Sequence, residues 1–597
     1  MIQEKEFKSK INFKLWKKFI SFINPYKYYM LGLIIVMLIV GAIDATFPFL
    51  TKYAIDRYVI PKYMQCFYKF IIIFSSIIVV QTLNVFLLIY FAGKIETHLA
   101  HDIRKAGFEK LQELSLSFYD TTQTGFLMAR LMSDIRKVTS ILAWGLTDFV
   151  WGFSSMLFIF FYLLVLNWKL GFFIILSIPF LFLISLYFQN KILKQYRKVR
   201  KLNSEITSMF NEGIIGAKTT KILATEDQHL NDLKEQTESM KKVSIKATVL
   251  SSIYTPIVMS IGSITTAFII YFGGNWVYTG FISFGTLVAF INYSIQFFEP
   301  IREIARIIAD LVSAQAAAER VLDLLNTKSD ITENKSVNPD FSIKGEIVFK
   351  NVSFKYKNGD YVLQNFNLKV KKGEIIALVG ETGSGKSTIV NLVSRFYEPT
   401  NGVIYIDGMD YRKIPLKKLR SSLGYVLQTP HLFSGTISEN IRYGKLYATM
   451  HEIIVAAKLV NAHDFIINLE NEYDTDVGEG GSKLSTGQRQ LISLARAVIA
   501  DPKIFILDEA TSSVDAYTEH LIQDAIMKVL NGRTSFVIAH RLSTIRKADR
   551  ILVIQNGKII EDGSHNQLMR KRKHYYSLYM KQFVEEKGKQ LLGEIGS

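Results

Sequence analysis

The residues Gly380-Glu381-Thr382-Gly383-Ser384-Gly385-Lys386-Ser387-Thr388 follow the apolar run 375–379 and precede a helical pattern. Glycines at this spacing let the backbone turn so tightly that successive N–H groups converge on phosphate oxygens at a helix N-terminus. In such a loop the Lys386 ammonium neutralises β- and γ-phosphate charge, and the Ser387 hydroxyl ligates Mg²⁺. A chance Gly-rich turn would not carry the strand, the nine-residue match and the helix together. The expected ligand is a nucleotide.

Further along, Lys503-Ile504-Phe505-Ile506-Leu507 reads as a buried parallel strand ending in Asp508 and Glu509. Two acids at such a strand end suit a metal-linked carboxylate, Asp508, beside a base that polarises water, Glu509. Alone, the pair would read as solvated acids at a turn. Between loop and strand, Ser485 and Gln488 have capping-box spacing ahead of the helical stretch 489–500, with Gly487 between them. A capped helix N-terminus beside a glycine is a second anion site. One nucleotide needs one phosphate-binding device, and the chain carries two. The arithmetic predicts head-to-tail pairing, with each ATP between two chains.

These groups need an α/β frame, and from Gly345 the pattern is strand and helix in alternation with Gly-rich turns. Ahead of it the chain is different in kind. Hydrophobic residues make up 49% of the 597, yet 21% are charged, which predicts membrane helices joined to an ordinary charged domain. Crossing a bilayer takes about 20 mostly apolar residues. Runs of that order occur at 28–50, 68–91, 149–166, 170–188, 249–272 and 281–298, with an amphipathic segment at about 10–22 before them. Buried helices of a soluble core are the alternative for any single run; six runs flanked by Trp, Tyr, Lys and Arg argue against it. The connections 93–144 and 189–248 are long and rich in Lys and Arg, so they and both termini are expected on the cytoplasmic side. This also accounts for the formal charge of +18 without nucleic acid as a partner. The expected domains are a membrane domain at 1–325, a linker at 326–343, a nucleotide domain at 344–580 and a tail at 581–597. The fold class is thus an α-helical membrane domain of six spans with long cytoplasmic extensions, joined to an α/β P-loop domain.

The whole chain resembles the ATP-binding cassette exporters with fused membrane and nucleotide domains, the multidrug and lipid-flippase type. The resemblance implies that Tyr356 stacks on adenine, that Gln428 touches Mg²⁺ alongside Ser387 and Asp508, and that Ser485, Gly487 and Gln488 belong to the family signature. It further implies that Ser512-Ser513-Val514-Asp515 couples two sites and that His540 contacts the γ-phosphate. Val477-Gly478-Glu479-Gly480 resembles the segment that meets the membrane domain's loops. Phe118-Tyr119-Asp120 with Gly125, and Glu212-Gly213 before Ala217-Lys218, resemble the two coupling regions. One departure is Thr486, where the family usually has glycine; homodimer and heterodimer both stay open.

The resemblance implies a dimer in a bacterial cytoplasmic membrane that exports or flips a hydrophobic or amphipathic substrate, with ATP and Mg²⁺ as cofactors. The alternatives are an ATP-gated channel or a membrane-bound signalling ATPase. A soluble chromosome-maintenance ATPase shares the nucleotide motifs but lacks the apolar runs. Inside the first run lies Asp44, and a carboxylate there costs about 2.5–3.5 kcal/mol on insertion scales, so it should face protein or water. It either lines the translocation cavity or is held by a polar neighbour such as Asn84. Pro48 removes the N–H that would bond the Asp44 carbonyl, which predicts a kink.

Glu509→Gln keeps the shape of the side chain and removes the base. Turnover is expected to fall on the order of 10²-fold or more while ATP binding survives. Wild-type hydrolysis by the purified variant would remove Glu509 from the reaction.

Overall fold

The computed structural model describes residues 12–62, 64–331, 341–357, 359–508, 516–538, 542–581 and 583–584. The expected linker falls largely at 332–340 and the expected tail at 585–597, outside the described residues. The chain divides into two units, Met1–Gln112 with Thr124–Thr327, and Glu113–Gln123 with Lys328–Ser597.

The first unit is helical. Asn12 caps the short helix Phe13–Ile23 by accepting from the N–H groups of Lys14 and Leu15 at 3.2 and 3.4 Å. Leu15 and Phe19 are buried while Lys14, Lys17 and Lys18 stay exposed, the two-faced pattern expected of this segment. Among the described residues, four helices are long and apolar enough to cross a membrane: Lys14–Val59, Phe67–Glu113, Thr124–Ser185 and Glu226–Tyr278. The helix Phe67–Glu113 has 47 residues. At about 1.5 Å per residue it runs roughly twice the ~30 Å of a hydrocarbon core, so it continues well past the bilayer. Expected runs three and four share the helix Leu146–Ile215, which breaks at Asn167. There φ is −168° and ψ 105°, and the Asn167 side chain accepts from the N–H groups of Lys169 and Leu170, both at 3.1 Å. This is an N-cap, and a new helix starts where the fourth run was expected. The sixth run forms Phe284–Gln296 and the start of Phe298–Asn326; Pro300, with no N–H for the Gln296 carbonyl, lies at the junction.

Close approach organises the helices around Asp44. A Cβ on Gly41 would lie 2.5 Å from the Ser154 Oγ and 2.9 Å from the Ser155 nitrogen, so the first helix touches the third along its backbone. The Ser154 hydroxyl donates to the Leu38 carbonyl at 3.1 Å. Trp151 is thereby brought to Asp44, its indole N–H donating to Oδ2 at 3.0 Å, while the Gln81 amide donates to Oδ1 at 2.9 Å. Asn84, the expected partner, instead donates to the Val80 carbonyl one turn back, at 2.9 Å. It sits one turn further along the helix Phe67–Glu113 than Gln81 and satisfies itself there. The helix Lys27–Ala54 runs on through Pro48 without a break. The Asp44 carbonyl freed by Pro48 accepts from the Gln296 amide at 3.1 Å.

Among the described residues the second unit has ten strands: β1 Ile347–Lys355, β2 Tyr361–Val370, β3 Ile375–Val379, β4 Asn401–Ile406, β5 Met409–Asp410, β6 Leu423–Val426, β7 Ile504–Asp508, β8 Thr534–Ile538, β9 Arg550–Gln555 and β10 Lys558–Gly563. One sheet runs β2-β1-β4-β5, antiparallel throughout. The other runs β10-β9-β3-β8-β7-β6, parallel except for β10 at its edge. Alternate residues of the parallel strands face opposite ways. Ile376, Leu378, Ile504, Ile506, Phe536 and Ile538 join the core shared with the antiparallel sheet. Ala377, Val379, Phe505, Leu507 and Val537 join the core beneath the helices. Both faces are covered, which is why these strands read as unbroken apolar runs.

In the first unit, Asp134 is buried and takes both arms of the Arg320 guanidinium, at 2.7 and 2.8 Å. Arg320→Met would strand that carboxylate. Full removal of one buried partner costs about 3–5 kcal/mol, and because Arg320 is 38% exposed we expect about 1–3. A lower thermal midpoint of the purified chain, at least half restored by the double variant Asp134→Leu/Arg320→Met, is the expected result.

Candidate nucleotide site

Four neighbouring parallel strands end at the residues the sequence singled out. Gly380 follows β3, Asp508 closes β7, Gln428 lies two residues past β6, and His540 comes two residues after β8. The crevice outside the carboxyl ends of parallel strands is where open α/β sheets take their ligands. Glu509, Ser512-Ser513-Val514-Asp515 and His540 lie outside the described residues.

The loop after β3 packs without room to spare. Gly380 has φ +155°, and a Cβ there would lie 2.2 Å from the Ile554 carbonyl oxygen. Gly383 and Gly385 adopt φ +81° and +108°, conformations that favour glycine. The helix Lys386–Val393 starts at Gly385 with no side chain capping it. Its first N–H groups thus need an acceptor from elsewhere, which suits a phosphate. Lys386 is buried and curls over the loop, donating to the carbonyls of Gly380 and Glu381 at 2.8 and 2.7 Å. Burial pushes the Lys386 ammonium below its ordinary range, and the Asp508 carboxylate acts against that shift. The ammonium also donates to the Ser384 hydroxyl at 3.4 Å, and a buried cation over this loop fits an anionic ligand. Ser387 and Gln428 are exposed and Asp508 half-buried, oxygen donors of the kind a hard Mg²⁺ takes. Glu381, Thr382 and Gly383 are exposed on the loop, and Ser384 and Thr388 are buried behind it.

Tyr356 follows β1 and sits beside this helix, its hydroxyl 3.2 Å from the Thr388 Oγ1. Its ring meets Phe354 and Tyr397 edge to face, at 4.9 and 5.3 Å between centroids. The Tyr397 hydroxyl in turn donates to Asp120. Asp120 belongs to the short helix Leu116–Thr121, which groups with the second unit. Phe354, Tyr356, Tyr397 and Asp120 line a cleft of about 780 Å³, which also takes in Ser117 and Asp330. The Ser117 hydroxyl donates to Asp330, and Asp330 pairs with Lys357 at 2.8 Å. Tyr397 was not singled out from the sequence. Its partner lies 277 residues away, and no local spacing marks it.

Where a second anion site was expected, the capping box is formed. The Ser485 Oγ accepts from the Gln488 N–H at 3.2 Å, and the Gln488 side chain accepts from the Ser485 N–H at 2.9 Å. The helix Thr486–Val498 is therefore closed by its own capping box, while the Ser485 O–H retains a proton to donate. Gly487 is buried in its first turn. Thr486, the departure from the family pattern, accepts from the Arg489 guanidinium at 3.1 Å. Arg489 also donates to the carbonyls of Gly481 and Leu484, at 3.3 and 3.2 Å, so the extra side chain is absorbed on the chain's own side.

Residues 30–301 match the model of the ABC transporter transmembrane region, and residues 363–512 that of the ABC transporter domain. The chain is 36% identical over 556 residues to the uncharacterized ABC transporter ATP-binding protein YfiC of Bacillus subtilis, covering 92% of each chain. It is 34% identical over 570 residues to the putative multidrug export ATP-binding/permease protein YgaD of the same organism, covering 94% of this chain and 98% of the other. An ATP-dependent lipid A-core flippase of Syntrophus aciditrophicus is 32% identical over 573 residues, covering 96% and 95%.

Base–aromatic stacking is worth about 1–3 kcal/mol, so Tyr356→Ala is expected to raise the KM for ATP roughly tenfold or more. Tyr356→Phe keeps the ring, gives up only the hydroxyl near Thr388, and should stay close to wild type. Equal KM values for the two variants would make Tyr356 a packing residue.

Proposed function

This chain is a member of the ABC transporters that carry membrane and nucleotide-binding regions on one polypeptide, and we propose that it pairs with a second half-transporter to export or flip an amphipathic substrate. It is a multi-pass membrane protein and an ATPase coupled to transport. The observation that carries the rest is one chain holding both a glycine loop with a buried lysine at the end of a parallel strand and helices longer than a bilayer is thick. Export and flipping are named for relatives at about a third identity, which supports this class of cargo and leaves its identity to experiment.

In the proposed site Lys386 and the N–H groups of the loop 380–388 hold the phosphates, Tyr356 stacks on adenine, and Ser387, Gln428 and Asp508 hold Mg²⁺. Bound Mg²⁺ would supply charge neutralisation at the phosphates. Glu509 polarises the attacking water and His540 positions the γ-phosphate end. Ser485, Gly487 and Gln488 serve the nucleotide of the partner chain, because each site already has one phosphate loop of its own.

The pairing has support in the first unit. Around the turn at Gly216 the side chains of Ile214, Ile215 and Ile222 are 76%, 78% and 72% exposed, although the connection is expected to face water. A contiguous apolar tip of this kind marks an interaction surface. We assign it to the partner's nucleotide domain. The proposed domain limits are 1–325 and 344–580, with the nucleotide domain and both termini in the cytoplasm of a bacterial cell.

The purified full chain in liposomes tests the reading. Accumulation of an amphipathic dye or fluorescent lipid should require hydrolysable ATP and Mg²⁺ and be lost in Lys386→Ala. ATP-triggered leak that only runs down a gradient would mean a channel. Activity that appears only after adding a second half-transporter would establish the heterodimer.

A further inference from the structure

We propose that Asp44, together with the side-chain oxygen of Gln81, recognises the ammonium group of an amphipathic cation within the membrane-spanning helices. The inference rests on the exporter reading, because it places the group on the path of the cargo.

A carboxylate in a membrane span is expensive and persists where something compensates it. Both oxygens of Asp44 are oriented, one by the Gln81 amide at 2.9 Å and the other by the Trp151 indole at 3.0 Å. Those donors are neutral. They fix the direction of the carboxyl group and supply no counter-charge. Among the described residues no Lys, Arg or His pairs with it. A carboxylate offers about four acceptor positions, so two accepted hydrogen bonds leave room for more. With the amide nitrogen of Gln81 turned toward Asp44, the Gln81 Oε1 is buried without a hydrogen-bond partner. Such an oxygen costs free energy until a donor arrives. A carboxyl group and an amide oxygen on two bonded side chains thus lack a cationic donor among the described residues. An ammonium group carries one positive charge and three N–H bonds.

The pair is also rigid. The Asp44 carbonyl is held by Gln296 at 3.1 Å and the Ala45 carbonyl by the Tyr293 hydroxyl at 2.8 Å, so the backbone beneath the carboxylate is pinned. Preorganised acceptors bind more tightly than mobile ones, since less ordering remains to be done.

A strip of charge leads toward it. Asp148 lies one helical turn before Trp151, and Glu299 lies one turn after Gln296. Arg306 pairs with Asp148, Glu303 and Asp310, at 2.8, 2.7 and 3.2 Å, and Arg302 pairs with Glu299. Four carboxylates against two guanidinium groups leave a formal excess of two negative charges. All six side chains are between 21% and 53% exposed. Charges at this density face water rather than lipid. The strip therefore forms an acidic approach to Asp44 that concentrates cations over neutral compounds.

The test uses binding, with neither ATP nor transport involved, so its failure leaves the exporter reading untouched. Probes are dodecylammonium and its neutral counterpart dodecanol, on the full chain in nanodiscs. In the wild type, dodecylammonium should protect Asp44 from dicyclohexylcarbodiimide, read as the mass of the peptide that contains it, and dodecanol should not. Asp44→Asn should weaken dodecylammonium binding at least tenfold, and Asp44→Glu by no more than about threefold. Binding of dodecanol should be unchanged in both. An Asp44 that is unreactive, or reacts equally with either probe present, overturns the proposal. So does an Asp44→Asn variant that loses both probes alike or neither. The labelling experiment needs only the wild type and decides the matter even if the variants do not accumulate.

Discussion

Gly380 can carry no side chain, because a Cβ there would lie 2.2 Å from the Ile554 carbonyl oxygen. Much of the nucleotide unit follows from that contact. The loop after β3 is pressed onto the end of β9, and the Gly557 N–H, in the turn between β9 and β10, donates to the Ser384 carbonyl at 3.1 Å. Gly557 itself approaches β2 so closely that a Cβ would sit 2.0 Å from the Val362 carbonyl oxygen. Two missing side chains let three segments meet by their backbones. The loop is then supported from behind while its N–H groups face outward. Lys386 is buried by the same packing, and burial makes its charge available to a ligand instead of to water.

The membrane unit uses the same device for a different end. Gly41 lets the first helix touch Ser154 and Ser155 on the third, and that contact delivers the Trp151 indole to Asp44. In hydrocarbon no water will satisfy a freed backbone group. The carbonyl that Pro48 leaves open is therefore claimed by Gln296 from a helix more than two hundred residues away, and the span stays helical. Other polar side chains in this region do structural work for the backbone, while among the described residues the Gln81 Oε1 and the Ser155 Oγ are buried without a hydrogen-bond partner.

Within the second unit a row of rings runs from the loop's helix to Asp120. Thr388 on the loop's helix touches Tyr356, Tyr356 packs against Tyr397, and Tyr397 bonds Asp120 on a segment whose neighbours in sequence belong to the helical unit. Burial pushes the Tyr397 phenol above its ordinary range, and the neighbouring Asp120 adds to the shift. The phenol accordingly stays a hydrogen-bond donor throughout the accessible pH range. A change in the seating of Tyr356 would be felt at Asp120 through contacts that are all short and direct.

Local spacing determined a good deal here. Glycines at 380, 383 and 385, the acid at the end of an apolar strand, the Ser485–Gln488 box and the six apolar runs each depend on residues a few positions apart, and backbone periodicity alone relates those. The break between runs three and four was legible for the same reason, since Asn167 caps the N–H groups just after it. Partner choice in space was not. Asp44 could have met any polar group on a neighbouring helix; Asn84 bonds its own turn, and Gln81 and Trp151 take the carboxylate. Helix rotation decides which face meets which, and that is set by the Gly41–Ser154 contact. Tyr397 and Asp120 stand 277 residues apart, and the absorption of the Thr486 hydroxyl by Arg489 depends on a rotamer. Sequence thus determined the elements and their chemistry, whereas packing at distances of a few ångströms determined which side chains share a site.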